Sequence, residues 1–262
     1  MTITAIIITQ NEEANIASCL NSLQDVADEI IVLDAFSTDE TPNICKSYPS
    51  VKFIQRAWEG YAASKNFADN QATSDYILSL DADEMLSEEL KFSILSVKLG
   101  DGNHKAYQFN RLNHIANQPI HHSGWYPDRK VRLFSKINSK WVGDFVHETL
   151  QTDSPLQTIK GDLLHYTCSS FQEMESKQRQ YAEYGAIELF RKGKHISEFI
   201  RFSKVFFKFF CIYYLKLGFL DGSNGLKIAL ISAKYLNQKF ITLKQLEGKK
   251  YLSFSMLILE TI

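Results

Sequence analysis

Three carboxylates follow an apolar segment in this sequence, at a spacing that could hold a metal ion. Residues 76–80 read Tyr-Ile-Leu-Ser-Leu, and Asp81, Asp83 and Glu84 come directly after them. Because side chains alternate along an extended chain, Asp81 and Asp83 should leave the strand on one face. Two like charges there repel, and a hard divalent cation that also binds phosphate oxygens would relieve the repulsion.

The same carboxylates also suit a structural role. Ser87 is placed to cap a helix, and Glu88 and Glu89 would lie in its first turn, where acidic side chains favour the helix dipole. An acidic turn before a helix is therefore the alternative to a metal site, and the surrounding elements must decide between them.

Strands and helices alternate through the first hundred residues. The pattern predicts strands over 3–9, 29–34, 51–55 and 76–80, and helices over 12–23, 39–47, 61–71 and 87–98. This order predicts an α/β fold with a mixed, mostly parallel sheet flanked by helices. Ligands bind such sheets at the carboxyl ends of strands, where polar residues cluster at 10–13, 34–39 and 81–84.

These strand ends suit a nucleotide held without a glycine-rich loop. Neither the dinucleotide motif nor the P-loop motif occurs in the sequence. Carboxylates accept hydrogen bonds, so they suit ribose hydroxyls and uracil N–H groups, while a metal ion would bind the phosphates. For Asn11 and Asp39, helix capping is an equally good interpretation.

The motifs, in this order, resemble glycosyltransferase family 2, the inverting transferases of GT-A fold that use nucleotide sugars. The segments that carry this resemblance are 6–13, 30–34, 37–41 and 78–84. Other motifs resemble the branch that adds glucose, from UDP-glucose, to an inner-core heptose of bacterial lipopolysaccharide or lipooligosaccharide. These are 58–61, 64–68, 124–134, 146–148 and 218–222.

The resemblance implies roles for the donor site. Asp83 would bind a divalent cation, Mg²⁺ or Mn²⁺, and Asp81 would contact the sugar nucleotide. Glu12 and Asp34 would bind the nucleoside, and Lys65 would reach the diphosphate. Without the resemblance, Lys65 would be interpreted as a solvated lysine on a helix surface.

The resemblance also implies a catalytic base, because inversion in one step requires a group that deprotonates the acceptor. Glu148 is the expected base, with Asp144 and Asp128 as alternatives. His165 could serve the site or be a hydrogen-bonded core residue. The residues expected at the acceptor are Trp125, Tyr126, Asp128, Arg129, Arg132 and His147.

The acceptor assignment has a physical basis and an alternative. Aromatic faces stack on sugar rings and Arg pairs with phosphate, which suits a phosphorylated heptose. The alternation of Lys130 and Arg132 with Val131 and Leu133 fits an exposed strand equally well.

One turn departs from the family pattern. Relatives usually have a small residue and Gly between the second-strand Asp and Ser-Thr-Asp, whereas Ala35 and Phe36 stand here. Gly adopts positive φ freely, but Phe does so only with strain. A positive φ at Phe36 would therefore strain this turn and affect the contact with the base of the nucleotide. The alternative is that the Phe36 ring stacks on a neighbouring one.

Charge divides the chain into an acidic body and a basic tail. Residues 1–190 hold 16 basic and 26 acidic side chains, whereas residues 191–250 hold 13 and 3. We expect a catalytic domain over 1–190 and a basic, amphipathic helical region over 191–262. The acidic front part counts against nucleic acid as a partner. The start lacks the basic segment of a signal peptide, so a cytoplasmic location is expected.

The basic tail predicts an interfacial helix. Residues 199–217 hold eight aromatic residues and four cations, and at helical periodicity the cations span an arc of roughly 120°. These cations interrupt the run of roughly 20 apolar residues that a transmembrane span needs. The helix, or a second one over 226–246, would bind the anionic inner face of the inner membrane. The alternative is that the apolar faces pack on the rest of the protein.

Overall fold

The computed structural model describes residues 1–100, 105–143 and 148–259, with side chains to residue 248. The strands are β1 Ile3–Thr9, β2 Glu29–Asp34, β3 Val51–Gln55, β4 Tyr76–Asp81, β5 Glu84–Leu86, β6 Ala106–Ile115, β7 Gln118–Pro119, β8 Asp128–Ser135, β9 Ser139–Val142, β10 Thr149–Thr152 and β11 Leu156–Cys168. The helices are α1 Ile16–Leu23, α2 Thr41–Lys46, α3 Tyr61–Gln71, α4 Glu88–Leu99, α5 Phe171–Arg191, α6 Glu198–Phe210 and α7 Gly222–Leu259.

The predicted mixed α/β sheet is confirmed. Its strand order is β3-β2-β1-β4-β8-β6-β11-β5, with β7 paired to the end of β6. The first four strands in this order run parallel, and β8 and β6 are added antiparallel. The carboxyl ends of β1, β2 and β4 therefore meet at one edge, where the sequence places its polar clusters.

Both faces of the parallel strands are buried. Along β1, Ile3, Ala5 and Ile7 join a core with α1 and α4. Ile6 and Ile8 point to the opposite face and join a second core with α3. A continuous apolar strand is what a parallel sheet covered on both sides requires. The predicted cap of α4 is confirmed, because Ser87 Oγ accepts a hydrogen bond from Leu90 N at 3.2 Å.

The described chain divides into two compact units. The first comprises residues 1–113 and 127–167, and the second comprises residues 114–126 and 168–262. In the second unit, α5 and α6 pack on α7, and Ile115, Met174, Ile212 and Ile228 form part of its core. Among the described helices, none is both long and apolar enough to cross a bilayer. A catalytic domain that ends at residue 190 stays a prediction.

Candidate active site

A cluster of buried charges lies at the carboxyl end of β4. Arg132 Nη2, from β8, donates to Asp81 Oδ2 at 2.7 Å and to Glu84 Oε1 at 2.6 Å. Arg111 from β6 is a second cation, with Nη1 3.2 Å from Glu84 Oε1. Glu84 is fully buried, and Arg132 nearly so. The carboxylates after β4 are thus neutralised by arginines of the antiparallel strands.

The electrostatics keep this cluster ionised. Burial alone would raise the pKa of Asp81, but the charges of Arg132 and then Lys65 hold it well below its usual value. Burial would lower the pKa of Arg132, whereas Asp81 and then Glu84 raise it. Each ion thereby stabilises the charged form of its partner.

Lys65 connects this cluster to the expected base. Its side chain is 1% exposed, so the interpretation of Lys65 as a solvated surface residue is wrong. Its Nζ lies 3.0 Å from Glu148 Oε1 and 3.4 Å from Asp81 Oδ1. The ammonium also lies 4.6 Å from the ring centroid of Trp141, within the range of a cation–π contact. Contact between Lys65 and a diphosphate stays a prediction.

Asp83 has different partners from Asp81. It lies in the turn between β4 and β5, and its Oδ2 is 3.1 Å from His165 Nε2. On the other side of the ring, His165 Nδ1 lies 2.6 Å from Asn113 Oδ1 and 2.9 Å from Thr167 Oγ1. His165 therefore faces the site, held at Nδ1 by polar neighbours.

Asp83 and His165 are the pair that could hold a divalent cation. A carboxylate oxygen and an imidazole nitrogen are both suitable ligands for Mn²⁺, and Mg²⁺ accepts the carboxylate. In the described part of the chain, no group of three or more His, Cys, Asp or Glu side chains is arranged around a common point. The donor set therefore fits a cation that takes most of its ligands from a bound diphosphate and water.

Two loops next to the site are joined by reciprocal hydrogen bonds. Asn11 N donates to Ser37 Oγ at 2.8 Å, and Asn11 Oδ1 accepts from Thr38 N at 2.8 Å. Capping by Asn11 is wrong, because α1 begins only at Ile16 and Asn15 holds its N-cap position. Asp39 does bond the first residue of α2, and it also accepts from Glu13 N at 3.1 Å.

The turn after β2 is strained as predicted. Phe36 has a φ of 55°, and its side chain is 56% exposed. Asp34 is fully buried beneath this turn, where it accepts hydrogen bonds from Ser37 N and Ser37 Oγ and, at 2.9 Å, from Gln55 Nε2. Glu12 Oε2 accepts from Asn15 Nδ2 at 2.8 Å. Nucleoside contacts by Asp34 and Glu12 stay predictions.

An open cleft of about 520 Å³ lies against the charge cluster. Its lining includes Asp81, Arg129, Lys130, Trp141 and Glu148. The expected base and the expected donor contact therefore face one space, with basic side chains beside them. Arg132 also lines the cleft, although its Nη2 is already bonded to carboxylates.

The alternative bases differ in their surroundings. Asp128 forms ion pairs with Arg111 at 2.6 Å and with Lys130 at 3.2 Å. Burial would raise the pKa of Asp128, but the charge of Arg111 and its hydrogen bond lower it, so this carboxylate is a weak base. Asp144 and His147 lie outside the described residues.

The remaining acceptor candidates, Trp125 and Tyr126, belong to the second unit. Trp125 packs against the core of that unit, and the Tyr126 ring lies 6.0 Å from that of His121. Asp221, from the 3₁₀ turn Gly218–Asp221, forms hydrogen bonds with the loop that precedes Trp125. Its carboxylate accepts from His121 N, His122 N and Ser123 Oγ.

Sequence reasoning missed several contributors to the site. Glu84, Arg111 and Asn113 received no role, although Glu84 stands inside the acidic motif. A lone arginine in a strand gives no signal of its own, since its partner lies 17 residues away at Asp128 or 27 residues away at Glu84.

Comparison with known proteins identifies the family to which this chain belongs. The model of glycosyl transferase family 2 matches residues 4–151. An uncharacterised glycosyltransferase of Rickettsia felis is 30% identical over 88% of this chain and 85% of its own length. The lipopolysaccharide core biosynthesis glycosyltransferase LpsC of Rhizobium meliloti is 26% identical over 90% of this chain and 92% of its own. The crystal structure of S. aureus TarS aligns with a TM-score of 0.45 at 18% identity, over 70% of this chain and 39% of its own. The predicted family and fold class are confirmed, and the chain belongs to glycosyl transferase family 2.

Proposed function

We propose that this family 2 transferase moves glucose from UDP-glucose to an inner-core heptose of lipopolysaccharide or lipooligosaccharide. The observation that carries the proposal is the cleft in which Glu148 and Asp81 share the buried Lys65. The similarity to a lipopolysaccharide core glycosyltransferase supports the acceptor class. The lipopolysaccharide-branch motifs over 58–68 and 124–134 support the same assignment.

In the proposed reaction Glu148 is the base. The acceptor hydroxyl oxygen forms a bond to the anomeric carbon on the face opposite the diphosphate, and the bond from that carbon to the diphosphate oxygen breaks. Glu148 takes the hydroxyl proton, and UDP leaves with the bonding electrons. Lys65 orients the carboxylate through one oxygen, and its burial leaves it few other positions.

Two sets of groups would balance the negative charge of the donor diphosphate. Arg129 and Lys130 line the cleft and can pair with phosphate oxygens of donor or acceptor. Asp83 and His165 would hold the divalent cation, which when bound neutralises the charge that develops on the diphosphate. Asn113 keeps the His165 ring oriented toward Asp83.

The proposed acceptor is anchored by its lipid in the inner membrane. We therefore propose a peripheral location on the cytoplasmic face, where anionic phospholipid attracts the basic C-terminal region. The enzyme and its acceptor would then both diffuse in the plane of the membrane.

The test is transfer with purified components. Protein, Mg²⁺ or Mn²⁺, a panel of nucleotide sugars and lipooligosaccharide truncated at the inner-core heptose are incubated, and UDP and glycan mass are measured. We expect UDP release only with UDP-glucose, in step with addition of one hexose. Release with a different nucleotide sugar would replace the donor assignment. Binding of UDP without any turnover would favour an impaired, nucleotide-sugar-binding relative, to which the strained Phe36 also points.

A further inference from the structure

Helix α6 turns its apolar face to solvent. Its largest exposed side chains are Phe199, Phe206, Phe202 and Phe207, at 81%, 70%, 62% and 60%. None of the residues of α6 is buried. An amphipathic helix normally packs its apolar face on the protein, so the exposed rings of this helix are a departure from that pattern. For α6, packing of the apolar face on the protein is limited to Val205 and Phe209.

The half-buried side of α6 carries Arg201, Val205 and Phe209, and Phe209 packs on the core of the second unit. Arg201 Nη1 donates to Asn237 Oδ1, and Lys204 Nζ lies 5.9 Å from the ring centroid of Phe240. At the start of the helix, Glu198 pairs with Lys244 at 2.6 Å. One side of α6 is therefore used within the unit, whereas most of its phenylalanines, Lys204 and Lys208 stay exposed.

Neighbouring aromatic rings continue from α6 into the turns that follow it. Ring centroids lie 6.5 Å apart for Phe206 and Phe210, 5.2 Å for Phe210 and Tyr214, and 6.4 Å for Tyr213 and Phe219. The π-helical turn Cys211–Leu215 and the 3₁₀ turn after it carry this surface onward. We call it the aromatic strip, and its exposed members are Phe199, Phe202, Phe206, Phe207, Phe210, Tyr214, Phe219 and Leu220.

We infer that the aromatic strip inserts into the interfacial layer of an anionic bilayer. Contiguous exposed apolar surface of this kind marks an interaction site. Aromatic rings above a basic helix face are the pattern of helices that lie in the membrane interface. The inference rests on the proposed membrane-bound acceptor and specifies the segment that meets the lipid.

Charge favours lipid over a second copy of the chain. Residues 191–250 hold 13 basic and 3 acidic side chains, so two strips face to face would bring like charges together. Within the described residues, no carboxylate lies within ion-pair distance of Lys208 or Lys216. Anionic headgroups would supply the missing negative charge.

The test is flotation of the full-length protein with vesicles of phosphatidylcholine alone or mixed with phosphatidylglycerol. We expect binding to the anionic vesicles, and a loss of at least about tenfold in partitioning for the double variant Phe206→Ser/Phe207→Ser, because two rings that would enter the bilayer are removed. Phe92→Ser is the matched control, since Phe92 is 73% exposed on α4. Lys208→Glu/Lys216→Glu should weaken binding to the anionic vesicles only.

A second measurement detects insertion directly. In Phe207→Trp, the added tryptophan should be quenched by brominated lipid, whereas the one in Phe92→Trp should not. Equal flotation of wild type and Phe206→Ser/Phe207→Ser, or a lipid-free dimer dissociated by this change, would overturn the inference. With a delipidated core oligosaccharide as the acceptor, the rate of UDP release should be the same for wild type and for Phe206→Ser/Phe207→Ser. If the protein fails to float with vesicles but still transfers the sugar, only the membrane surface is refuted. If it floats with vesicles but fails to transfer the sugar, only the proposed reaction is refuted.

Discussion

The charge cluster of the first unit and α6 of the second depart from ordinary side-chain placement in opposite ways. Around β4, Lys65, Glu84 and Arg132 are buried at 1%, 0% and 4% exposure. On α6, four phenylalanines are more than half exposed. Charged residues are almost never fully buried unless paired, and large aromatics usually dominate cores.

The difference teaches that each departure has its own physical justification. The buried charges satisfy one another, so their burial is compatible with stability while it fixes their geometry. The exposed rings have no such compensation within the described chain, and for this reason we propose an external partner for them. Places where a folded chain breaks the general rules are where function is to be sought.

The strongest test of the first region concerns catalysis. Replacement Glu148→Gln should lower the transfer rate by roughly 10² to 10⁴, because the neutral amide cannot take the acceptor proton. The hydrogen bond to Lys65 survives with the amide oxygen, and Asp81 still neutralises the buried ammonium, so thermal stability should fall only slightly. Steady-state UDP release measures the effect. Asp128→Asn is the control, and a larger loss there than at Glu148 would transfer the role of base to Asp128.

Arg132 tests whether the buried ions depend on one another. Arg132→Met should reduce the free energy of unfolding by about 3 to 5 kcal/mol, because Glu84 and Asp81 lose their shared cation. Urea unfolding measures this loss of free energy. Arg129→Met, at an exposed position of the same strand, should stay within about 0.5 kcal/mol. Similar values for both variants would mean that the cluster contributes nothing special to stability.

Asp69 is a buried carboxyl group whose burial is not fully compensated by partners. One of its oxygens, Oδ1, is buried without a hydrogen-bond partner, and burial raises the pKa of Asp69 from 3.8 to about 7. Between those pH values the folded protein keeps a proton that the unfolded chain has released. Stability conferred by this residue is therefore complete at low pH and is lost as the pH rises toward 7, by about 1 kcal/mol per pH unit.

Urea unfolding of wild type and Asp69→Asn across pH 5 to 8 measures that effect. The wild type should lose stability relative to the variant up to a pH of about 7, and the difference should then level off. A difference that is constant with pH would mean that Asp69 is ionised throughout.

The smallest expected effect concerns the turn at Phe36. Phe36→Gly should raise the free energy of unfolding by about 1 kcal/mol, because Gly adopts a φ of 55° without strain. The melting temperature should rise by about 2 to 4 °C. Phe36→Ala removes the ring and keeps the positive φ, so it should show no such gain. Equal melting temperatures for the Gly and Ala variants would argue against strain.

The parallel half of the fold could be predicted from sequence, because its strands are short apolar runs bounded by turns. Strands β1, β2 and β3 have the predicted bounds, and β4 extends one residue further, to Asp81. Helix α1 begins later than predicted, because the loop after β1 holds Asn11 at positive φ.

The site could be predicted only in part. The acidic motif could be found from its spacing, whereas Lys65 was found because the resemblance ties it to chemistry. The partners Arg111 and Asn113 come from β6, whose position beside β8 and β11 depends on long-range pairing. The orientation of α6 could not be predicted, since helical periodicity is the same whether an apolar face meets protein or lipid.

The most direct test of the central claim is a crystal soaked with UDP and Mn²⁺, with anomalous diffraction recorded for the metal. We expect one anomalous peak within ligand distance of Asp83 and His165, in contact with the diphosphate, and the nucleoside at the ends of β1 and β2. A nucleotide bound elsewhere, with no metal beside Asp83, would contradict the account.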